Sequence, residues 1–164
     1  MKKVIYSVLI IILFITINAC AGYKPVFSSA NLQFEISNYT LEGNKLLGNQ
    51  IYSKLHKLSE SQKNNQNQKS IDLLIKVIKD KKATAKNSSG KILEYKITLS
   101  TYVKVIDVQT DSNILNETFI SSLTYKVQSL HSDTVDIENR SIEDIMNNTY
   151  QDLLIKLSEV TSTK

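Results

Sequence analysis

Residues 93–105, LEYKITLSTYVKV, contain the most regular alternation of apolar and polar side chains in this chain. An alternation with a period of two places each kind of side chain on its own face of a β-strand. The apolar members are Leu93, Tyr95, Ile97, Leu99, Val103 and Val105, and the polar members are Glu94, Lys96, Thr98, Ser100 and Lys104. The stretch therefore predicts a strand with one face buried and the other in solvent.

Two further alternating runs flank this strand. The run before it places Ile71, Leu73, Ile75 and Val77 on one face. Leu74 and Ile78 on its other face predict that this face, too, is partly covered. The run after it places Leu115, Phe119, Leu123, Tyr125 and Val127 opposite Asn116, Thr118, Ser122 and Lys126. Polar turns at 86–91 and 109–113 separate the three runs, so we expect consecutive antiparallel hairpins.

Helical spacing occurs on both sides of the three runs. Asn44 is a candidate N-cap for an amphipathic helix to about Leu58 with the stripe Leu47, Ile51, Leu55 and Leu58. Gly48 inside it indicates either a close packing contact or a locally weak helix. After 129–133, Ser132, Asp133 or Thr134 can cap a second helix to about Val160. Its stripe is Ile142, Ile145, Met146, Thr149, Leu153, Leu154, Leu157 and Val160.

These elements predict one α+β domain. A first strand with Leu32, Phe34 and Ile36 on one face precedes the first helix, which gives the order β-α-β-β-β-α. Residues 59–69 have no apolar side chain and predict a mobile surface loop. Apolar helix stripes and an apolar sheet face bury each other in two layers. We therefore expect a two-layer sandwich, with two helices packed on one face of a four-stranded, mainly antiparallel sheet.

The N-terminus has the build of a secretory signal. Lys2 and Lys3 precede an apolar run at 4–17, which is shorter than the about 20 residues that a membrane span needs. Ala19 then precedes Cys20, the only cysteine, as in the lipobox of bacterial lipoproteins, where the sulfur receives a diacylglyceryl group. Asn18 departs from the small or hydroxylated residue that is usual there. The alternative is a buried free thiol after an ordinary signal.

Three segments follow from this reading: a signal peptide at 1–19, a lipidated tether at 20–30 and a single domain at 31–162. Cys20 is then a lipid attachment site with a diacylglyceryl and an N-acyl chain, and no other cofactor is expected. Loss of Lys2 and Lys3 lowers the formal charge from +4 to +2, which is too small to indicate nucleic acid as a partner. With no second cysteine, no intramolecular disulfide can form.

The sequence offers no arrangement typical of catalysis. His56 and His131 are far apart and lack ligand spacing to other metal-binding residues, so we interpret both as surface or boundary residues. Asp133, Asp136 and Glu138 could form a cation site, but acids near a helix start more commonly complement its dipole. There is no glycine-rich phosphate loop. We therefore expect a protein that is not an enzyme and that holds no metal.

A group of lysines surrounds the first predicted hairpin turn. With Asp80 as the one local acid, these ammonium groups could bind phosphates at the tip of two strands. The alternative is a solvated hairpin end that keeps strand edges from aggregating. The group consists of Lys79, Lys81, Lys82, Lys86 and Lys91.

The mature chain resembles the lipopolysaccharide-assembly lipoprotein family (LptE). The resemblance rests on ACAGYKPVF at 19–27, LTY at 123–125, DIENR at 136–140 and LLIKL at 153–157. Ala21 lies between Cys20 and Gly22, where members commonly have Cys-Gly. Ala21 also resembles the sorting signal for release to the outer membrane.

The resemblance implies a partner, a ligand and a location. The partner is LptD, the β-barrel of the lipopolysaccharide translocon, which a protein of this family plugs and helps to assemble. The ligand is lipopolysaccharide, and the resemblance makes Lys79, Lys81, Lys82, Lys86 and Lys91 its candidate contacts. The location is the outer membrane, with the lipid-anchored domain facing the periplasm or the barrel lumen. Two alternatives share an anchored α/β domain: an auxiliary lipoprotein of a lipid-transporting ABC system, and a regulator of a cell-wall synthase.

Overall fold

The computed structural model describes residues 33–61 and 68–162. Its elements, numbered in chain order, are β1 (Phe34–Gly43), α1 (Lys45–Glu60), β2 (Lys69–Lys86), β3 (Ile92–Asp107), β4 (Asn113–Lys126) and α2 (His131–Ser162). The predicted signal peptide at 1–19 and the tether at 20–30 with Cys20 lie outside the described residues. So do residues 31 and 32 and most of the predicted loop at 59–69.

The predicted α+β sandwich is confirmed. The four strands form one sheet in the order β1-β2-β3-β4. Strand β3 pairs antiparallel with both β2 and β4 through short turns. Strand β1 instead pairs parallel with β2, because helix α1 carries the chain back to the starting end of the sheet. Both helices contribute to one apolar core against one sheet face.

The alternation in β3 faces this core as predicted. Ile97, Leu99 and Val103 are fully buried. Thr101, the polar residue that interrupts the apolar series, is also fully buried and keeps the same face. Leu93 is 44% exposed, because it lies at the hairpin end, where the register of the paired strands shifts. The buried part of β3 is therefore shorter than the alternating stretch at 93–105.

Strand β1 continues beyond the predicted alternation through a bulge. The register with β2 shifts between Ile36 and Asn38, so that Tyr39 pairs with Leu73 and Leu41 with Ile75. Paired residues of neighbouring strands share a face, and the extra residue therefore returns Tyr39 and Leu41 to the helix side.

The β1–α1 junction depends on a glycine. Gly43 has φ +66°, and a Cβ atom there would lie 2.3 Å from the carbonyl oxygen of Val77. The next amide, of Asn44, donates to the same oxygen at 2.7 Å. The Asn44 side chain then accepts from the Leu47 amide at 3.2 Å, which confirms the predicted N-cap. Any side chain at position 43 would break this close approach.

Helix α1 packs directly on the sheet through Gly48. An added Cβ would lie 3.5 Å from Leu41 Cδ2, an ordinary van der Waals distance. Gly48 is buried against the sheet, but the site has room for a methyl group, so packing does not require glycine there and the first of the two predicted alternatives is wrong. The helix runs to Glu60, and Ser59 is buried because it continues the core stripe one turn after Leu55. The prediction of a surface loop from residue 59 is wrong at this point.

Helix α2 begins earlier than predicted. Its first residue is His131, which we expected in a loop, so Ser132, Asp133 and Thr134 lie inside the helix and none is its N-cap. The Thr134 amide already donates to the Leu130 carbonyl at 3.3 Å, and this bond makes the first turn helical. The Thr134 hydroxyl instead accepts from the Gln128 amide at 2.9 Å and fixes the incoming chain.

The other sheet face has no covering element among the described residues. Ile78 is 54% exposed and Ile120 is 69% exposed on this open face. The prediction that Leu74 and Ile78 lie on a partly covered face is therefore wrong for Ile78, whereas Leu74 is half-buried. Polar side chains surround these apolar residues, namely Thr98, Ser100, Thr118, Ser122 and Thr124.

Candidate functional site

The hairpin turn that carries the lysine cluster is held by one asparagine. The Asn87 side-chain oxygen accepts from the amides of Ser89 and Lys91 at 3.1 and 2.9 Å. Gly90 adopts φ +79° and donates to the Asn87 carbonyl at 3.0 Å. Lys86 and Lys91 flank this turn, and both are exposed.

The two-residue alternation along β2 places the other three lysines on two different faces of the sheet. Lys79 and Lys81 continue the core-facing series of Ile75 and Val77, so they point toward the helices. Lys82 points to the open face and pairs there with Asp80 at 3.1 Å. The five predicted contact residues therefore do not form one surface.

Glu138 of helix α2 joins the two inward lysines. Its carboxylate oxygens lie 3.0 Å from Lys79 Nζ and 2.5 Å from Lys81 Nζ, and the Tyr125 hydroxyl donates to it at 2.8 Å. Lys81 Nζ also lies 4.3 Å from the centre of the Tyr95 ring. We call this arrangement the Glu138 cluster (Lys79, Lys81, Tyr95, Tyr125 and Glu138). It links the far end of the β2–β3 hairpin to α2.

The Glu138 carboxylate is strongly stabilised in its charged form. Burial acts to raise the pKa of Glu138, but hydrogen bonds from Lys81, Lys79 and Tyr125 outweigh it and lower the pKa from 4.5 to about 2. Burial acts to lower the pKa of Lys81, and its bonds to Glu138 and Tyr125 raise it above the ordinary value. Burial raises the pKa of Tyr125. Sequence reasoning missed this role of Glu138 and assigned it to the helix dipole.

A cleft of about 740 Å³ separates the two helices. Helix α1 forms one wall, helix α2 the other, and Lys79 lies at one end. Most of the lining side chains are amides, lysines or aliphatic groups: Asn44, Leu46, Leu47, Asn49, Gln50, Ser53, Lys54, Lys57, Lys79, Asn139, Ile142, Glu143, Met146 and Asn147. Nothing in the sequence pattern indicated this interhelical cleft.

A contact between the helices closes the cleft at its other end. Lys54 Nζ donates to the side-chain oxygen of Asn147 across the gap. The Tyr150 hydroxyl donates to the Lys54 carbonyl at 3.5 Å, and Lys54 Nζ lies 5.4 Å from the centre of the Tyr150 ring. The helices therefore meet near Lys54 and stay apart between Asn44 and Ser53.

The histidines and acids considered from the sequence occupy different local environments. His56 is half-exposed and lies 4.0 Å from Glu60 on the same helix. Asp133 lies in the first turn of α2, whereas Glu138 belongs to the Glu138 cluster. Within residues 33–61 and 68–162, no group of three or more His, Cys, Asp or Glu side chains could hold a metal ion. None of the described helices combines the length and apolarity needed to cross a membrane.

Solved structures of lipoproteins share this architecture. The NMR structure of lipoprotein B from Nitrosomonas europaea superposes with a TM-score of 0.59 at 16% identity, over 86% of this chain and 93% of that one. A minor lipoprotein from Acinetobacter baumannii gives 0.51 at 14% identity, over 77% and 93%. This chain has the fold of these lipoproteins. Neither a family model nor a curated protein sequence matches it.

Proposed function

We propose that this chain is a non-enzymatic outer-membrane lipoprotein, acylated at Cys20, that plugs the lipopolysaccharide translocon barrel and assists its assembly. The proposal rests on two features that occur together in this chain. A lipobox-like sequence ends at Cys20, and the domain after it has the fold of solved lipoproteins.

The anchor has a simple physical basis. Each buried CH₂ group of an acyl chain contributes about 0.8 kcal/mol to membrane binding, so a single chain binds marginally. Two chains on a diacylglyceryl group and a third on the N-terminal nitrogen hold a small domain firmly. The mixed surface of the open sheet face, with threonines and serines around Ile78 and Ile120, suits the polar interior of an outer-membrane barrel.

The proposal predicts that the chain carries covalent lipid and that it binds a β-barrel. Both predictions can be tested in one membrane preparation. Cells that express the tagged chain are grown with labelled palmitate, and the solubilised outer membrane is passed over an affinity resin. We expect label on the wild-type chain, no label on Cys20→Ser, and copurification of a large β-barrel with the wild type. Asn18→Ser, which restores the usual lipobox residue, should carry at least as much label.

Two results contradict the proposal at different steps. Label that persists in Cys20→Ser would refute the anchor, since this is the only cysteine. An inner-membrane transporter or a cell-wall synthase in place of the barrel would refute the translocon role. It would support instead the auxiliary or the regulatory lipoprotein.

The exposed end of the hairpin supplies the proposed lipopolysaccharide contact. Lys86 and Lys91 are exposed at the turn, whereas Lys79 and Lys81 are engaged by Glu138. A lysine beside an anionic lipid surface contributes about 1 kcal/mol, so changing both Lys86 and Lys91 to serine should weaken lipopolysaccharide binding about 10- to 30-fold. Binding is measured with immobilised lipopolysaccharide at low salt.

The control for this experiment removes the same charge elsewhere. Lys45 lies at the start of α1 and Lys104 on the open sheet face, so a Lys45→Ser, Lys104→Ser double variant should bind within about twofold of the wild type. Equal losses in the two double variants would mean that net charge, and not the hairpin end, determines binding.

A further inference from the structure

We propose that the interhelical cleft binds an extended, acidic peptide segment of a partner protein. This goes beyond the lipid anchor and the lipopolysaccharide contact, and it does not depend on the barrel being that partner.

The walls of the cleft have the chemistry of peptide recognition. Five lining side chains are amides, and an amide side chain, like a peptide group, has a donor and an acceptor. The oxygens of Asn44 and Asn147 already accept from the Leu47 amide and from Lys54. Asn49 and Gln50 on α1 and Asn139 on α2 present amides from both sides of the gap. An extended backbone between the helices could hydrogen-bond to both walls.

The charge of the lining favours acidic side chains on the bound segment. Lys54, Lys57 and Lys79 line the cleft against one acid, Glu143. Lys79 is paired with Glu138, whereas Lys54 donates to the Asn147 side-chain oxygen, lies over the Tyr150 ring and has no carboxylate partner within residues 33–61 and 68–162. Lys57 is exposed on the same wall. Two ammonium groups can therefore attract carboxylates.

The lining of the cleft favours a peptide that carries small apolar side chains between its acids. Leu47, Ile142 and Met146 give an aliphatic floor for a small apolar side chain. None of the described lining residues has an aromatic ring, on which sugar rings commonly stack, and this favours a peptide over a saccharide.

Met146 lines the cleft, so its methyl signal reports directly on whether a peptide binds there. The mature chain expected after cleavage before Cys20 contains one methionine, so methyl-labelled methionine gives a single signal, from Met146 in the cleft. The labelled, acylated chain in detergent micelles is titrated with a hexapeptide of alternating glutamate and valine. We expect the Met146 signal to shift and saturate. Lys57→Glu should weaken the apparent affinity at least tenfold.

A peptide of opposite charge and a variant outside the cleft serve as controls for this titration. The corresponding lysine–valine hexapeptide should leave Met146 unchanged, and Lys96→Glu, on the open sheet face, should keep the affinity of the wild type. An unmoved Met146 signal at millimolar glutamate–valine peptide overturns the proposal. So does an equal or larger response to oligogalacturonate, an acidic sugar chain, because the cleft would then recognise charge or saccharide and not a peptide.

Discussion

Replacement of Leu153 by alanine is expected to lower the free energy of unfolding by about 2 to 5 kcal/mol. Leu153 is fully buried in the C-terminal half of α2, where it belongs to the core shared with the sheet. The substitution removes the transfer free energy of the lost methine and methyl groups and leaves a cavity between two layers that can only partly collapse. The midpoint of thermal unfolding, followed by circular dichroism, should fall by on the order of 10 °C.

Leu46→Ala is the matched control for this variant. Leu46 also lies in a helix but is 73% exposed, so the same change should alter the free energy of unfolding by less than about 0.5 kcal/mol. If Leu153→Ala unfolded within a degree or two of the wild type, α2 could not be docked on the sheet as described.

The layered fold was predictable because its signals are local. Strand β3 alternates over more than a dozen residues, and the α2 stripe repeats at helical spacing as far as Val160. A sheet face and two helix stripes of this kind can be buried together in few ways. The order of the elements and most of the core residues follow from these patterns alone.

Backbone details were less predictable, because they depend on partners distant in sequence. The bulge after Ile36 is visible only against the register of β2. Gly43 must lack a side chain because the carbonyl of Val77, 34 residues later, lies against its Cα. Ser59 and Thr101 are buried hydroxyl residues that a search for apolar periodicity passes over.

The Glu138 cluster could have been predicted from two patterns read together. Glu138 lies four residues before Ile142 and therefore on the core-facing stripe of α2, where an acid needs a partner. Lys79 and Lys81 continue the core-facing period of β2 beyond Val77. An acid and two cations assigned to the facing surfaces of two layers are expected to meet. Grouping the lysines by their closeness to the turn hides this contact, because the strand period places them on two faces.

The interhelical cleft could not have been predicted in this way. The α1 and α2 stripes determine which helix faces meet the sheet, but not how far apart the helices lie on it. That distance depends on side chains such as Lys54 and Asn147, which meet across the gap. The polar residues between Asn44 and Ser53 are typical of an exposed helix face, and only the placement of the second helix makes them one wall of a cleft.

Glu138→Gln is expected to lower the free energy of unfolding by about 2 kcal/mol at neutral pH. A folded-state pKa of about 2 against an ordinary 4.5 corresponds to roughly 3 kcal/mol of stabilisation of the charged form. The side chains of Lys79 and Lys81 are 29% and 34% exposed, and solvent screening reduces this figure. Glutamine keeps the shape and one acceptor but removes the charge. Urea unfolding measures the difference.

The pH dependence separates this charge effect from a packing effect. Because folding lowers the pKa of Glu138, its contribution is fully present above about pH 4.5 and is lost as the pH falls toward 2. The stability difference between wild type and Glu138→Gln should therefore shrink over that interval, while other acids titrate equally in both proteins. Glu143→Gln, on an exposed carboxylate of the same helix, should differ from wild type by less than about 0.5 kcal/mol throughout. A difference for Glu138→Gln that stayed constant down to pH 2 would mean that shape, and not the ion pairs with Lys79 and Lys81, holds the hairpin to α2.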